Sequence, residues 1–493
     1  MVRKKIIVIG AGFGGMSLAA LLAKDGHEVT ILEKNDQPGG RAIVWKEKGF
    51  AFDMGPSWYL MPDVFEKFFA EFGRKPEEYY RLIRLKPAYR VFFSKDEVVD
   101  ISPDLEKNLQ LFERYQPGGR EQFKKYLAAA EYQYKIAMQE FIYKEYNRLW
   151  DFFSPKLLLK GSKLHIFKKL DDYTQRYITN PKLRKILEYT MVFLGGTPFD
   201  TPALYSLMSH VDFNLGVWYP DGGFGALARG FEKIAVEQGA TFKYNHEVTK
   251  IAIQQNKVTS VETKQGTFPA DVVIANADYH HVETQLLEQR YQTYPESYWQ
   301  KKAIAPSALL MYLGIQGRIK SLAHHNLYFA PQWEDHFNTI FRNPMWPNDP
   351  SYYVSCPSKT DPSVAPKDTE NLFILVPVAA GLQDTKKIRE KYFTQIISHL
   401  EHLTGESIKD RIIVKRLFAH NDFTQQYHAY KGTALGFAHT LGQTAVFRPH
   451  HQSKKLKNFY YTGHYTHPGI GVPMVVISSQ ILASQIRNTY DHR

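Results

Sequence analysis

Apolar and polar positions keep a clear rhythm at the start of the chain and lose it soon after. In "KKIIVIGAGFGGMSLAALLAKDGHEVTILEK", Ile6 to Ile9 is an unbroken apolar run that reads as a buried strand, and Met16 to Ala23 reads as a helix. Gly26 supplies the helix stop, and a second strand ends at Glu33. Between about residues 60 and 210 the pattern is irregular and predicts a mainly helical lobe rich in long and aromatic side chains. Order returns at "GGFGALARGFEKIAVEQG", a glycine turn and a helix to about Gln238. Short alternating strands and the buried run Val272 to Ala275 then bring the chain back to the first sheet. A second irregular block, about 286–439, holds apolar runs such as "SALLMYLGIQ" and "LFILVPVAA". "NFYYTG" reads as a last strand, and Pro473 sits where a first-turn proline costs its helix no hydrogen bond.

These elements predict an α/β chain in which one nucleotide-binding fold is interrupted twice. Residues 1–60, 215–285 and 440–493 form that fold, and residues 61–214 and 286–439 form an inserted α+β lobe. At 493 residues, two or more lobes are expected on size alone. Apolar residues at 44% and charged residues at 23% mark a globular chain, and 14% aromatics are enough to line an apolar cavity or a membrane-facing surface. The single cysteine, Cys356, excludes an internal disulfide framework and cysteine-rich metal clusters, and it fits a reducing, cytoplasmic setting.

A net charge of +12 suits an anionic partner, either nucleic acid or a membrane face. The stretch 140–169 carries seven Lys/Arg against three Asp/Glu, interleaved with Phe141, Tyr143, Trp150, Phe152 and Phe153. That mixture suits an anionic bilayer surface as well as an ordinary solvated helix pair, and no nucleic-acid-binding module is recognisable. The chain lacks any uninterrupted apolar run of spanning length, so membrane contact is expected to be peripheral.

The chemistry starts in the first turn. Gly10, Gly12 and Gly15 have the spacing that allows a tight bend, backbone approach to a pyrophosphate, and close packing of helix on strand. Glu33 follows about twenty residues on, where a carboxylate accepts hydrogen bonds from a ribose. The helix start offers unpaired amides to phosphates. Together these predict dinucleotide binding.

Gly39, Gly40 and Arg41, then Phe52, Asp53, Gly55 and Pro56, resemble the second glycine pair and the "FDxGP" segment of the flavoprotein superfamily of amine oxidases and phytoene desaturases. With "VIANAD", "YKGTALG", "FRPHH" and "NFYYTGHYTHPGIGVP", the chain resembles the bacterial-type phytoene desaturase family over nearly its whole length. The resemblance implies FAD held by Gly10, Gly12, Gly15, Glu33, Gly40, Arg41, Gly55, Pro56, Val248, Asn276, Gly463, Gly469, Gly471, Val472 and Pro473. It further implies a carotenoid or other polyprenoid substrate, peripheral attachment to the membrane that dissolves it, and dioxygen or a quinone as electron acceptor. His464 departs from the superfamily, many of whose members carry an acid after the glycine corresponding to Gly463.

The implied reaction is desaturation, with hydride passing to the flavin and a proton leaving the neighbouring carbon. His467 is the candidate proton acceptor, against the simpler reading that it packs within a tight loop. The adjacent pairs His280/His281, His324/His325 and His450/His451 lack a carboxylate pattern, and no metal is expected. Three alternatives accompany this reading: a redox-neutral carotenoid isomerase using reduced FAD, an amine oxidase, and a flavin-free prenyl carrier. The intact phosphate turn argues against the carrier.

Overall fold

The first apolar run is the middle strand of a five-stranded parallel sheet, and it is apolar throughout because each face of the sheet has its own cover. The computed structural model describes residues 3–144 and 164–490. Lys5–Ile9 pairs on one side with Glu28–Leu32 and then Thr241–Lys243, and on the other with Val272–Ala275 and then Phe459–Tyr461. Ile6 and Val8 pack with the helices Phe13–Lys24, Gly223–Glu237 and Val472–Tyr490. Ile7 and Ile9 face the opposite way, against the antiparallel sheet Val248–Gln254, Lys257–Thr263 and Gly266–Pro269. The first helix starts at Phe13, earlier than its apolar pattern indicates, because Gly14 and Gly15 in its first turn carry weak helix propensity.

The second lobe is built on a seven-stranded mixed sheet in the order Ile412–Phe418, Ser307–Gln316, Thr369–Val378, Tyr352–Ser355, His325–Tyr328, Tyr89–Phe92 and Val98–Ile101. Alternation along Ser307–Gln316 sends Leu309, Met311 and Leu313 into one core, where helix Lys386–Thr404 contributes Tyr392, Phe393 and Ile396. Ala308, Leu310 and Tyr312 enter the core on the opposite face. The block 60–210 is therefore not wholly helical. Tyr89–Phe92 and Val98–Ile101 are strands because Tyr89–Phe92 finds a parallel partner in His325–Tyr328, a pairing between segments far apart along the chain. Most of the basic aromatic stretch, residues 145–163, lies outside the described residues.

Candidate active site

One cavity of about 1280 Å3 runs between the two sheets, bounded at one end by the glycine turns and elsewhere by apolar side chains. At the glycine end, the three glycines of the first turn do three different things. Gly10 takes a φ of 98°, a left-handed conformation, and a Cβ there would lie 2.7 Å from the Asn276 carbonyl oxygen. Gly12 borders the cavity. Gly15 packs the helix so tightly onto the strand that a Cβ would collide with the Gly10 carbonyl oxygen. The second glycine pair rests on the first: the Gly39 amide donates to the Ala11 carbonyl at 2.9 Å, and a Cβ on Gly40 would lie 3.0 Å from Gly12 Cα.

Glu33 is buried directly beyond the second strand. Its Oε2 accepts from the Ala11 amide at 2.7 Å, and its Oε1 accepts from the Asn35 amide and side chain, each at 2.8 Å. Burial raises its pKa, and these hydrogen bonds act in the opposite direction. Val248 begins the next sheet and lines the same end of the cavity. Asn276 pins the turn, donating from Nδ2 to the Gly10 carbonyl at 3.1 Å, with Gly14 and Gly463 packed around its side chain.

Arg41 donates to the Ala434 carbonyl at 2.6 Å, and its Nη2 lies 3.8 Å from the buried Asp278. It is thus an anchor between the lobes as well as a cation at the cavity wall. Gly55 packs so closely on the Arg41 carbonyl that any Cβ would collide with it, and Pro56 lines the cavity beside it. Asp53 receives the Phe224 and Gly225 amides at 2.8 and 3.1 Å, at the start of helix Gly223–Glu237. Burial pushes its pKa up to about 6 against those hydrogen bonds.

The closing motif folds as a loop followed by helix Val472–Tyr490, with Pro473 in the first turn. Gly469 and Gly471 take φ values of 135° and 113°, and a Cβ on Gly471 would meet nothing nearer than 3.9 Å. Arg448, from "FRPHH", holds this loop from beneath by donating to the carbonyls of Gln443, His464, Tyr465 and Thr466. Its burial lowers its pKa to about 10. His464 is kept neutral by burial and by Arg41 and Arg448 nearby. Its ring fills the space left by Gly436. His467 lies 3.2 and 3.1 Å through Nε2 from the carbonyls of Phe141 and Ile142, so that nitrogen carries a hydrogen and donates.

The remaining wall is mainly apolar and comes from both halves of the second lobe, with Phe193, Leu204, Leu310, Phe373 and Leu375 among its side chains. Polar side chains interrupt it in places, and one node centres on Tyr353. Tyr353 hydroxyl lies 2.9 Å from Ser57 Oγ and 2.7 Å from His325 Nδ1, and Trp58 stacks on His325 at 4.3 Å. Behind Tyr189, also in the wall, buried Asp212 accepts from Tyr89 and Tyr189 at 2.7 and 3.3 Å, and burial pushes its pKa up to about 7. None of these wall residues belongs to a sequence motif. Their only sequence signal is aromatic abundance. Among the described residues, no cluster of His, Cys, Asp or Glu has the geometry to hold a metal ion.

The residues present fit a dinucleotide: a wall of close-packed glycine backbone, a buried carboxylate beyond the second strand, and an arginine, all bordering one cavity.

Comparison with known proteins points the same way. The family of flavin-containing amine oxidoreductases matches residues 13–487. The chain is 46% identical to the carotenoid 3,4-desaturase of Haloarcula japonica, covering 98% of this chain and 97% of that one. It is 31% identical to a zeta-carotene-forming phytoene desaturase of Myxococcus xanthus, over 98% and 94%. It is 32% identical to a 4,4'-diapophytoene desaturase of Staphylococcus haemolyticus, over 99% of each. Among solved structures, an oxidoreductase of Methanosarcina mazei superposes with a TM-score of 0.62 at 16% identity, over 97% of this chain and 100% of that one. Putrescine oxidase superposes with a TM-score of 0.61 at 14% identity, over 99% of each chain.

Proposed function

The chain belongs to the family of flavin-containing amine oxidoreductases, and on that premise we propose that it is an FAD-dependent carotenoid desaturase. The observation that carries this reading is the single cavity that joins the glycine turns to a long apolar wall, in a chain whose full-length relatives are carotenoid desaturases. Bound flavin supplies an acceptor for a hydride taken from the substrate.

The chain's own part is binding, alignment and exclusion of water. Glu33 would hold the ribose, the turn at Gly10 to Gly15 the pyrophosphate, and the backbone at Val248 the adenine. Gly469 and Gly471 would bring backbone against the ring, and the start of helix Val472–Tyr490 would favour negative charge there by about 1 to 2 kcal/mol. The apolar wall aligns a polyene and keeps water away from it. A CH2–CH2 unit flanked by double bonds delocalises charge developing at either carbon, so the reaction needs no strong base.

Two exposed rings support peripheral attachment to a membrane. Phe167, within the basic aromatic stretch, is 88% exposed and Phe447 is 47% exposed, and both line the cavity. No described helix is long and apolar enough to cross a membrane. Dioxygen or a quinone dissolved in the same membrane would reoxidise the cofactor.

Expression in cells supplied with phytoene or its shorter homologue tests the reading by pigment absorption and product mass. Loss of two hydrogens per step supports desaturation. A changed absorption at unchanged mass would instead identify an isomerase, and an unchanged extract from flavin-loaded protein would refute both.

A further inference from the structure

Past the apolar wall of the main cavity lies a second, smaller void of about 40 Å3. Four side chains border both spaces: Tyr189, Phe193, Tyr353 and Leu375. We propose that Phe193 and Leu375 are the stop against which one end of the hydrocarbon substrate rests, and that the void behind them is a reserve subsite for the end of a longer chain. The inference rests on the carotenoid reading above and concerns residues that no sequence motif marks.

Three observations carry it. The first is direction. Along a strand, side chains two residues apart share a face and stand about 6.5 Å from one another. On Thr369–Val378, Phe373 borders the main cavity alone, Leu375 borders both spaces, and Pro377 borders the void alone. The void therefore prolongs the main cavity along the strand. Leu375 is also the only residue of this strand that is not buried, and the strand is paired on both sides, so the open surface of Leu375 faces the cavity.

The second is which parts of the partition can yield. Tyr353 is held at its hydroxyl by Ser57 and His325, and Tyr189 is held at its hydroxyl by Asp212. Phe193 and Leu375 are apolar, so a swing of either side chain breaks no hydrogen bond. Phe193 also follows the short helical turn Tyr189–Val192 and lies outside regular structure.

The third is the character of the void. Leu327, Phe329, Phe337 and Ile340 are among the side chains that line it. His336 lies there too, but burial lowers its pKa to about 4 and keeps it neutral. Its Nε2 donates to the Pro377 carbonyl at 3.2 Å, and its Nδ1 accepts from the Ser351 amide at 3.0 Å. The imidazole has nothing left to offer a polar ligand, and such a lining suits a hydrocarbon end. Each methylene buried there should strengthen binding by a factor of about four.

The test offers FAD-loaded protein an equimolar mixture of phytoene and its shorter homologue in lipid vesicles. The ratio bound is read by extraction and mass on protein held reduced with dithionite, which stops desaturation. The ratio of kcat/KM is read by competition in air with an added quinone. Phe193→Ala and Leu375→Ala are expected to raise the long-to-short ratio roughly four- to fifteenfold in both measurements, the worth of one or two further methylenes. Leu375→Phe should lower it, and Phe193→Leu serves if Phe193→Ala fails to fold. Ile340 borders the void and not the main cavity, so Ile340→Phe should leave the wild-type ratio unchanged and cancel the gain when combined with Leu375→Ala. An unchanged ratio in the alanine variants would overturn the inference, and so would a gain that survives Ile340→Phe. Wild-type protein that binds neither homologue would overturn the carotenoid reading itself, a result distinct from either.

Discussion

The two ends of the cavity are built on opposite principles. At the glycine end, backbone meets backbone and the geometry leaves no room: Gly15, Gly40 and Gly55 would each bring a Cβ against main-chain atoms. At the other end, Leu310, Phe373 and Leu375 present side chains whose volumes set the shape. One end is fixed by conformational necessity and the other by packing, so substitution should fail abruptly at the first and by degrees at the second.

The largest expected effect breaks the comparison at its rigid end. Gly15→Val would force a branched side chain into the Gly10 carbonyl and the Asn276 amide, separating helix from strand at the turn proposed to hold the pyrophosphate. FAD binding should weaken by at least about 100-fold, measured by equilibrium dialysis. Retention of wild-type affinity would show that the close packing is incidental.

Next comes a titration on the substrate side. Asp212 carries a pKa of about 7 in the folded chain against an ordinary value near 3.8, so between those pH values the folded state holds a proton that the unfolded state has lost. Stability from this group is therefore greatest in mild acid and declines as pH rises from about 4 to about 7. Asp53, pushed up to about 6, contributes in the same direction. Asp212→Asn should flatten the fall in Tm between pH 5 and pH 8, removing a difference on the order of 2 to 4 kcal/mol. The Asp53 contribution should persist. An unaltered pH profile would mean that Asp212 does not hold that proton.

The contrast also governs what could be read from sequence. The rigid end was legible because its constraints are local: three glycines, a strand and an acid lie within one short segment, and each residue type answers a stereochemical demand. The wall was not. Tyr89–Phe92 becomes a strand by pairing with His325–Tyr328, and Ser57 meets His325 only through Tyr353. Tyr427 and Glu33, far apart along the chain, line one cavity only in the folded protein. Apolar periodicity marks such residues as buried without saying which surface they share. Arg448 falls between these cases: its motif was visible, but its hold on three carbonyls of the closing loop and on that of Gln443 was not.

A milder test probes the wall itself. Leu310→Ala removes a buried side chain that borders the cavity, at a cost of about 2 kcal/mol. The enlarged channel should shift substrate KM or product length several-fold while FAD affinity stays at the wild-type value. If FAD affinity fell in parallel, the two ends would be coupled and the contrast drawn above would not hold.

The smallest expected effect concerns His467, which stands at the junction of the two ends. Its Nε2 already donates to the Phe141 and Ile142 carbonyls, which ties the closing loop to the start of the basic aromatic stretch. A nitrogen that carries a hydrogen toward two carbonyls cannot itself take up a proton, so a proton from a substrate carbon would have to reach Nδ1. In anaerobic stopped-flow experiments, His467→Ala should reduce its flavin with substrate at a rate within about threefold of wild type, since only a positioning contact is lost. The cost should fall instead on the loop, seen as faster amide exchange across residues 137–144. A drop of about 100-fold or more in flavin reduction, with exchange unchanged, would give His467 a part in the chemistry, with Nδ1 as the proton acceptor while Nε2 holds the carbonyls.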